Sequence, residues 1–274
     1  MRFAKYGMRE LKIYGTASGA LMLVVLVLSL KFIALKSLAL LIALPFAAVF
    51  VLVVSFFRDP ERVPPRGEHR VLAPADGTVY DIGEVDEDVY LGEKAVRVGI
   101  FLSIFDCHVN RAPCSGTVEK VVYRKGRFVS ALRANECSRR NESNFVGIGN
   151  AAGRGVKVGV KQIAGQIARR IVCELKEGDE VERGQAFGMI KFGSRAELFI
   201  PASARFKVKV KLGAAVFAGR TVIGMFEDEK AGPDKEAGAD EAAELVEEAS
   251  AGEKAGPDAG PAPDAVAESA EDEG

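Results

Sequence analysis

The sequence predicts a mostly β protein, in which a compact β domain follows a two-helix apolar hairpin and precedes a disordered acidic tail. Three features of the 274 residues support this: two uncharged apolar runs near the N-terminus, short apolar alternations broken by glycine in the middle, and an acidic C-terminal segment without aromatic residues. We divide the chain into a basic N-terminus at 1–12, a hairpin at 13–57, a β domain at 58–226 and a tail at 227–274.

The two apolar runs predict a pair of membrane-spanning helices. Residues 13–30 form a run of 18 residues without a charge, and residues 37–57 form a run of 21. At about 1.5 Å per residue, the second run is long enough to cross a hydrocarbon core of about 30 Å. We therefore expect transmembrane helices at 13–30 and 37–57. A helical hairpin buried in a soluble core is the alternative.

The charges beside these runs predict their orientation. Positive residues are more numerous on the outer flanks than between the runs, and the outer ones are Arg2, Lys5, Arg9, Lys12, Arg58, Arg62 and Arg66. Because positively charged flanks stay in the cytoplasm, we expect the N-terminus and the β domain on the cytoplasmic side of the inner membrane.

Positive and negative charge are separated along the chain. The whole chain has 37 basic and 38 acidic residues, of which 3 basic and 17 acidic residues lie in 227–274. Subtracting these leaves 34 basic and 21 acidic residues in the first 226, a net charge of +13. Such a body is attracted to an anionic membrane leaflet, whereas the tail buries too little apolar surface to fold. We expect no nucleic-acid binding, because the cations are not interleaved with aromatic residues in a recognisable module.

Short alternating segments predict the strands of the β domain. They lie at 77–79, 95–105, 116–122, 144–148, 156–160, 167–175, 196–200 and 206–212. In the last of them Lys207, Lys209 and Lys211 alternate with apolar residues, which places three ammonium groups on one face. That face is either an ordinary solvated surface or a surface for anionic headgroups.

Cysteine and histidine usage excludes a histidine-rich zinc peptidase. The chain contains only two histidines, His69 and His108, and none of its cysteines has CxxC spacing. We expect no metal site. The four cysteines are Cys107, Cys114, Cys137 and Cys173. Reduced thiols fit a domain that faces the cytoplasm, and two disulfides are the alternative.

The turn-rich segment 177–185 resembles the hammerhead turn of biotinyl and lipoyl carrier domains. A carrier of that type needs an exposed lysine at a hairpin tip, usually beside methionine, and the sequence has no such pattern. A membrane-tethered, carrier-like adaptor domain without catalysis is the second hypothesis for this chain.

Five motifs occur in the order found in one enzyme family. They are Phe56-Phe57-Arg58-Asp59-Pro60-Glu61-Arg62, Pro74-Ala75-Asp76-Gly77, His108-Val109-Asn110-Arg111-Ala112-Pro113, Asn141-Glu142 and Phe192-Gly193-Ser194-Arg195. Over 56–226 the chain resembles the phosphatidylserine decarboxylase proenzymes, and its apolar hairpin resembles the anchor of the short bacterial form.

The resemblance implies a self-cleaving, pyruvoyl-dependent decarboxylase. Ser194 would attack the carbonyl group of Gly193, and elimination and hydrolysis would leave a pyruvoyl group, the cofactor, on residue 194. The β chain 1–193 and the α chain 194–274 would remain together as a heterodimer, which could also form a homo-oligomer. The residue types suit this chemistry, since glycine removes a side chain from the strained attack geometry and serine is a weak nucleophile that needs a base.

His108 and Asp76 are the other site residues that the resemblance implies. The pyruvoyl group would accept the electron pair released with carbon dioxide, and His108, whose ordinary pKa lies near neutrality, would supply the proton. Many family members have a second histidine three positions later, where this chain has Arg111. The base that activates Ser194 therefore stays open, and we rank Asp76 before His108 and His69.

Together these features predict an enzyme that converts phosphatidylserine, an anionic membrane lipid, to phosphatidylethanolamine at the cytoplasmic face of the inner membrane.

Overall fold

The computed structural model describes residues 2–31, 36–127, 138–165, 170–191 and 194–227. Residues 1–227 form one compact unit. Its helical part has a short 3-10 turn at Lys5–Gly7, followed by the helices α1 (Met8–Lys31) and α2 (Lys36–Phe56). Of the acidic tail predicted at 227–274, residues 228–274 lie outside the described residues, as do the predicted strand residues 167–169.

The rest of the described chain is built from strands, which confirms the prediction of a mostly β protein. The strands are β1 (Arg70–Leu72), β2 (Gly77–Glu87), β3 (Glu93–Leu102), β4 (Val109–Arg111), β5 (Gly116–Arg124), β6 (Ser143–Ala151), β7 (Val156–Ala164), β8 (Arg170–Cys173), β9 (Glu180–Val181), β10 (Ala186–Lys191), β11 (Ser194–Pro201), β12 (Phe206–Val208), β13 (Ala215–Val216) and β14 (Val222–Phe226).

An antiparallel eight-stranded sheet forms the centre of the unit. Its strand order is β13-β2-β3-β11-β7-β6-β5-β9, so β11 lies between β3 and β7 near the middle. Alternate residues of β11, Ala196, Leu198 and Ile200, point into the main apolar core, as the period of two in a strand requires. This central position buries both faces of β11 along its whole length.

Two three-stranded sheets complete the domain, in the orders β1-β14-β12 and β4-β10-β8. The second one matters most for the site, because β4 follows His108 and β10 ends three residues before Ser194. In the first one, β12 ends at Val208, so the strand predicted at 206–212 is shorter than expected, and Lys209 and Lys211 follow it. Lys207, Lys209 and Lys211 are exposed and the two valines between them are half-buried. The segment 177–185 forms β9 between two turns.

The helical hairpin packs against the sheet β4-β10-β8. Phe56 and Phe57, at the end of α2, are fully buried and share an apolar cluster with Cys107, Val109 and Met189. Backbone hydrogen bonds join the N-terminal segment to the same region, from Ala4 N to Phe57 O at 2.8 Å and from Asp59 N to Arg2 O at 2.9 Å. The hairpin is therefore attached to the domain at the family motif that begins with Phe56.

The predicted membrane-spanning character of the hairpin is not confirmed. Among the residues that the structure describes, no helix is both long enough and apolar enough to cross a membrane. The helix α1 begins with a charged turn that includes Glu10, and two glycines, a threonine and a serine interrupt its apolar run at 15–19. The transmembrane helices expected at 13–30 and 37–57 therefore stay a prediction, and residues 32–35 lie outside the described residues.

Three of the four cysteines lie in the described residues, and all three are free thiols. Cys107 and Cys114 are buried and Cys173 is half-buried. The two-disulfide alternative is therefore wrong, because it would need all four cysteines. Cys137 lies outside the described residues.

Candidate active site

Ser194 is the first residue of the central strand β11. Its backbone lies opposite Leu102 of β3 on one side and Ala164 of β7 on the other. The residue is 0% exposed, and its hydroxyl oxygen Oγ has no hydrogen-bond partner in the part of the chain that the structure describes. A buried hydroxyl without a partner is costly, which makes Ser194 a candidate functional residue. Phe192 and Gly193 lie outside the described residues.

Asp76 lies in the turn that leads into β2. The next residue, Gly77, has a φ of +149°, and a side chain there would collide with the carbonyl group of Phe101, so only glycine allows β2 to start this close to β3. Asp76 Oδ2 accepts a hydrogen bond from Arg62 Nη2 at 2.7 Å, and Oδ1 accepts one from the backbone N–H of Ala218 at 2.7 Å. Two donors on different segments thus fix the carboxylate.

The environment of Asp76 raises the pKa of its carboxyl group. The main cause is burial, and the nearby carboxylate of Asp106 adds to it, whereas the hydrogen bond from Ala218 and the charge of Arg62 act in the opposite direction. A carboxylate with a raised pKa is a stronger proton acceptor than an ordinary one.

His108 is fully buried just before β4. Its Nδ1 donates a hydrogen bond to the carbonyl oxygen of Asp106 at 2.9 Å, and its ring centroid lies 4.3 Å from that of Phe56. Burial lowers the pKa of His108 from 6.5 to about 4, against the opposing effect of the Asp106 carbonyl group. His108 is therefore neutral at pH 7, with the proton on Nδ1 and an acceptor lone pair on Nε2, because burial moves its pKa away from the ordinary value near neutrality.

The structure brings the Asp76 and His108 motifs together. The carbonyl oxygen of Pro74 accepts hydrogen bonds from Arg111 N at 3.0 Å and from Asn110 Nδ2 at 3.4 Å. These bonds hold the turn that carries Asp76 against the segment that follows His108.

Ser194 lies at the same end of the large sheet as Asp76. Ser194 is opposite Leu102, and Thr78 is opposite Phe101, so β3 separates the start of β2 from the start of β11. Because neighbouring strands lie about 4.8 Å apart, the backbone at the start of β2 is about 10 Å from the backbone at the start of β11. In the described residues, no hydrogen bond joins Ser194 Oγ to either Asp76 or His108.

Arg111, at the family's second histidine position, has a structural partner. Its Nη2 lies 2.5 Å from Asp59 Oδ1, and its Nη1 donates a hydrogen bond to Gly184 O at 3.1 Å. Arg111 thereby connects the motif that ends α2 to the turn before β10. It makes no contact with Ser194 Oγ in the described residues, so it does not take the place of a histidine base there.

The Asn141-Glu142 motif supports the strand next to Ser194. Asn141 Nδ2 donates a hydrogen bond to Ala164 O at 2.7 Å, and Ala164 N donates one to Glu142 O at 2.9 Å. Because Ala164 is the β7 neighbour of Ser194, the motif fixes one wall of the site.

His69, the third candidate base, lies apart from these residues. It precedes β1, and its carbonyl oxygen accepts a hydrogen bond from Phe226 N at the end of β14. The structure therefore groups Asp76 with the His108 segment, whereas His69 lies in a turn before β1 of another sheet.

Sequence reasoning missed a chain of buried amides beside the site. Gln162 Nε2 donates to Asn110 Oδ1 at 2.9 Å, and Asn144 Nδ2 donates to Gln162 Oε1 at 3.1 Å. All three residues are at most 4% exposed. The available signal was Gln162 itself, a polar residue at a position of β7 where an apolar residue is expected. The role of Arg62 as the partner of Asp76 was also missed, although Arg62 belongs to a quoted motif.

Comparison with known proteins places the chain among decarboxylases. Residues 49–224 match the model of the family described as phosphatidylserine decarboxylase. A phosphatidylserine decarboxylase proenzyme of Carboxydothermus hydrogenoformans is 49% identical over 176 residues, which are 64% of this chain and 80% of that protein. Proenzymes of the same name from Geobacter sulfurreducens and Salinibacter ruber are each 43% identical, over 66% and 73% of this chain and 80% and 84% of theirs.

Proposed function

Because this chain belongs to the phosphatidylserine decarboxylase family, and is thus an enzyme that acts on a membrane phospholipid, we propose that it cuts itself between Gly193 and Ser194. We further propose that it then converts phosphatidylserine to phosphatidylethanolamine with a pyruvoyl group made from Ser194. The observation that carries the proposal is the buried Ser194 hydroxyl, which has no hydrogen-bond partner in the described chain and begins the central strand.

Self-cleavage needs a base that receives the hydroxyl proton of Ser194. Asp76 is the first candidate, because burial raises the pKa of its carboxyl group and because it lies at the same sheet end as Ser194. Oγ then attacks the carbonyl carbon of Gly193, and the peptide bond is replaced by an ester. Elimination of the ester and hydrolysis, with release of ammonia, leave the pyruvoyl group at the new terminus.

The position of residue 194 fits such a group. Its backbone is held by β3 and β7 on the two sides, its side chain is fully buried, and its hydroxyl takes part in no described hydrogen bond that the conversion would break. A pyruvoyl group at residue 194 would supply a carbonyl that can react with an amine and withdraw the electron pair left behind by a departing carbon dioxide.

His108 moves the proton in the decarboxylation step. Since His108 is neutral at pH 7, its Nε2 accepts a proton from the ammonium group of the substrate, which must become a free amine before it reacts. The imidazolium then returns that proton to the carbon atom that has lost carbon dioxide. The Asp106 carbonyl on Nδ1 keeps the ring oriented throughout.

The surroundings of the site fit a location at the cytoplasmic face of the inner membrane. Ile104, Phe105 and Phe217 are 36%, 69% and 48% exposed. Arg58 Nη2 donates a hydrogen bond to Phe105 O at 2.6 Å, and the guanidinium of Arg62 lies 5.6 Å from the Phe217 ring. We name the three apolar residues and Arg58 the apolar rim; Arg62 supports Phe217 from inside, because its side chain is 9% exposed and paired with Asp76. Apolar side chains beside cations suit the boundary between acyl chains and anionic headgroups.

The adaptor hypothesis loses its support. Family membership identifies an enzyme, and the hammerhead resemblance of 177–185 concerns a turn that here leads from β9 into β10. The partners we propose are the lipid substrate, the membrane surface and the two cleaved chains, β and α, as a heterodimer.

Denaturing mass spectrometry of the purified protein tests the cleavage. We expect two chains, 1–193 and 194–274, with the smaller one blocked to Edman degradation by its pyruvoyl terminus. Ser194→Ala should give one intact chain without activity, because it removes both the nucleophile and the precursor of the cofactor. An active preparation that contains only the intact chain refutes the proposal.

A further inference from the structure

We propose that the seating of α1 on the β domain controls self-cleavage through the ion pair between Glu10 and Lys191. Lys191 Nζ donates a hydrogen bond to Glu10 Oε1 at 2.7 Å. Glu10 lies in the first turn of α1, and Lys191 is the last residue of β10, three residues before Ser194. The inference rests on the proposed cleavage and adds to it a device that positions the segment to be cut.

The pair is largely withdrawn from solvent. The side chain of Lys191 is 6% exposed and that of Glu10 is 20% exposed. Burial acts to raise the pKa of Glu10, but the hydrogen bond and charge of Lys191 outweigh it and the pKa is lowered. A buried ammonium group that loses its partner is strongly disfavoured. Lys191 therefore keeps its position only while Glu10, and with it α1, is in place.

Lys191 lies at the junction between two sheets. In the sheet β4-β10-β8 it pairs with Arg170, whereas Ser194 begins the pairing of β11 in the large sheet. Only residues 192 and 193 connect these two fixed points. A displacement of Lys191 thus shifts the peptide that Ser194 must attack, and attack requires close control of the reacting geometry.

A second contact of the hairpin acts on the same segment. The Phe56 ring of α2 packs on the His108 ring, and His108 O accepts a hydrogen bond from Ile190 N at 3.3 Å. Glu10 of α1 thus contacts Lys191, three residues before Ser194. Phe56 of α2 contacts His108, which is hydrogen-bonded to Ile190, four residues before Ser194. Cleavage is coupled in this way to correct docking of the hairpin, so the proenzyme matures only after α1 and α2 have packed on the domain.

Another ion pair provides a matched control. Lys5 Nζ lies 2.5 Å from Glu174 Oε2 and also joins the N-terminal segment to the β domain. These side chains are 67% and 47% exposed, and an exposed pair contributes little. Neither Lys5 nor Glu174 adjoins the segment between β10 and β11.

The test compares cleavage rates of full-length variants after cell-free synthesis, read as the appearance of two chains on a denaturing gel. Glu10→Gln should slow cleavage about tenfold or more, because an uncompensated buried charge costs more than the ~1.4 kcal/mol that a tenfold change represents. Lys5→Met should cut at close to the wild-type rate. The charge swap Glu10→Lys with Lys191→Glu should recover most of the rate, since it restores an ion pair. A purely structural role of Glu10 would lower the melting temperature without this rescue.

Each outcome has a defined meaning. Wild-type cleavage in folded Glu10→Gln, or a folded charge swap that cuts no faster than Glu10→Gln alone, overturns the inference. If Glu10→Gln does not fold, Glu10→Asp keeps the charge on a shorter side chain: slower cleavage at an unchanged melting temperature supports the inference, and unchanged cleavage overturns it. A wild-type chain that never cuts instead refutes the cleavage proposed at Ser194.

Discussion

At the scale of single residues, the surroundings of Asp76 and His108 shift the pKa values of these two groups in opposite directions. Burial raises the pKa of Asp76, whose carboxylate is held by Arg62 and Ala218, and lowers the pKa of His108 to about 4. Groups whose pKa values are shifted in this way are candidates for acid and base roles. The sequence supplies both residue types, but only the fold supplies the burial that makes His108 neutral.

The two residues should affect different steps. His108→Ala should still split into two chains but decarboxylate at least about 10²-fold more slowly, as expected for a lost proton-transfer group. Asp76→Ala should accumulate uncut precursor, because the attack of Ser194 loses its base. One gel and one assay of released carbon dioxide read both outcomes. Each variant must first show a wild-type circular dichroism spectrum, and an uncut His108→Ala protein would show that His108 also serves cleavage.

The lowered pKa of His108 also predicts how stability depends on pH. Between its folded pKa of about 4 and its ordinary value of 6.5, the unfolded chain binds a proton that the folded chain does not. Stability contributed by this residue is therefore complete above pH 6.5 and declines as the pH falls towards 4, with a slope of up to about 1.4 kcal/mol per pH unit.

Urea unfolding of the Ser194→Ala precursor, with and without His108→Gln, measures this contribution. The comparison is needed because the raised pKa of Asp76 acts with the opposite sign at acid pH: it adds stability as the pH falls. The difference in the free energy of unfolding between the two proteins should change with pH below pH 6.5 and stay constant above it. A difference that is constant from pH 4 to pH 7 would exclude the predicted shift.

At the scale of elements, the sequence predicted the strands better than the connections between them. Alternation located β3, β5, β6, β7 and β11, because a period of two is visible wherever one face is buried, but it marked only the first three residues of β2 and missed β10. It did not predict that β4, β8 and β10 form a separate sheet, since these strands are short and their pairing is set by contacts distant in sequence. The buried position of Gln162 was hidden for the same reason: its amide partners, Asn110 and Asn144, come from other elements.

The exposed phenylalanines of the apolar rim should contribute to activity only when the phosphatidylserine substrate is part of a bilayer. Phe105→Ser and Phe217→Ser should each lower kcat/KM on phosphatidylserine vesicles about tenfold, because burial of an exposed aromatic side chain in lipid contributes about 1.5–3 kcal/mol. Activity on a soluble short-chain phosphatidylserine should change little. Leu212→Ser, at an exposed apolar residue outside the rim, is the control for each assay. Equal losses on both substrates would place these phenylalanines inside the catalytic machinery and not at a membrane surface.

At the scale of the whole molecule, the compact unit that contains the candidate site ends at residue 227. The last strand, β14, pairs with both β1 and β12, and Glu227 N donates a final hydrogen bond to Arg205 O at 2.8 Å. The family match also ends before that point, at residue 224. The acidic segment beyond it has the composition of a chain that does not fold by itself.

Removal of residues 228–274 should therefore leave the enzyme intact. We expect wild-type extents of self-cleavage and a melting temperature within about 2 °C of the full-length protein, because little apolar surface leaves the core. Gel analysis and thermal unfolding measure the two quantities. Loss of cleavage in the truncated chain would show that the acidic segment takes part in maturation.

The position of Ser194 at the start of the central strand determines what the cut leaves behind. Once the chain is severed as proposed, β11 belongs to the small fragment but remains hydrogen-bonded between β3 and β7 of the large one. The strands β13 and β14 tie the same fragment to β2 and β1. Separating the two chains would require opening the sheet in its middle, at a cost comparable to the ~5–15 kcal/mol that unfolds a whole domain. The proposed cleavage would therefore be a one-way event that changes the number of chains without creating an interface that can dissociate under native conditions.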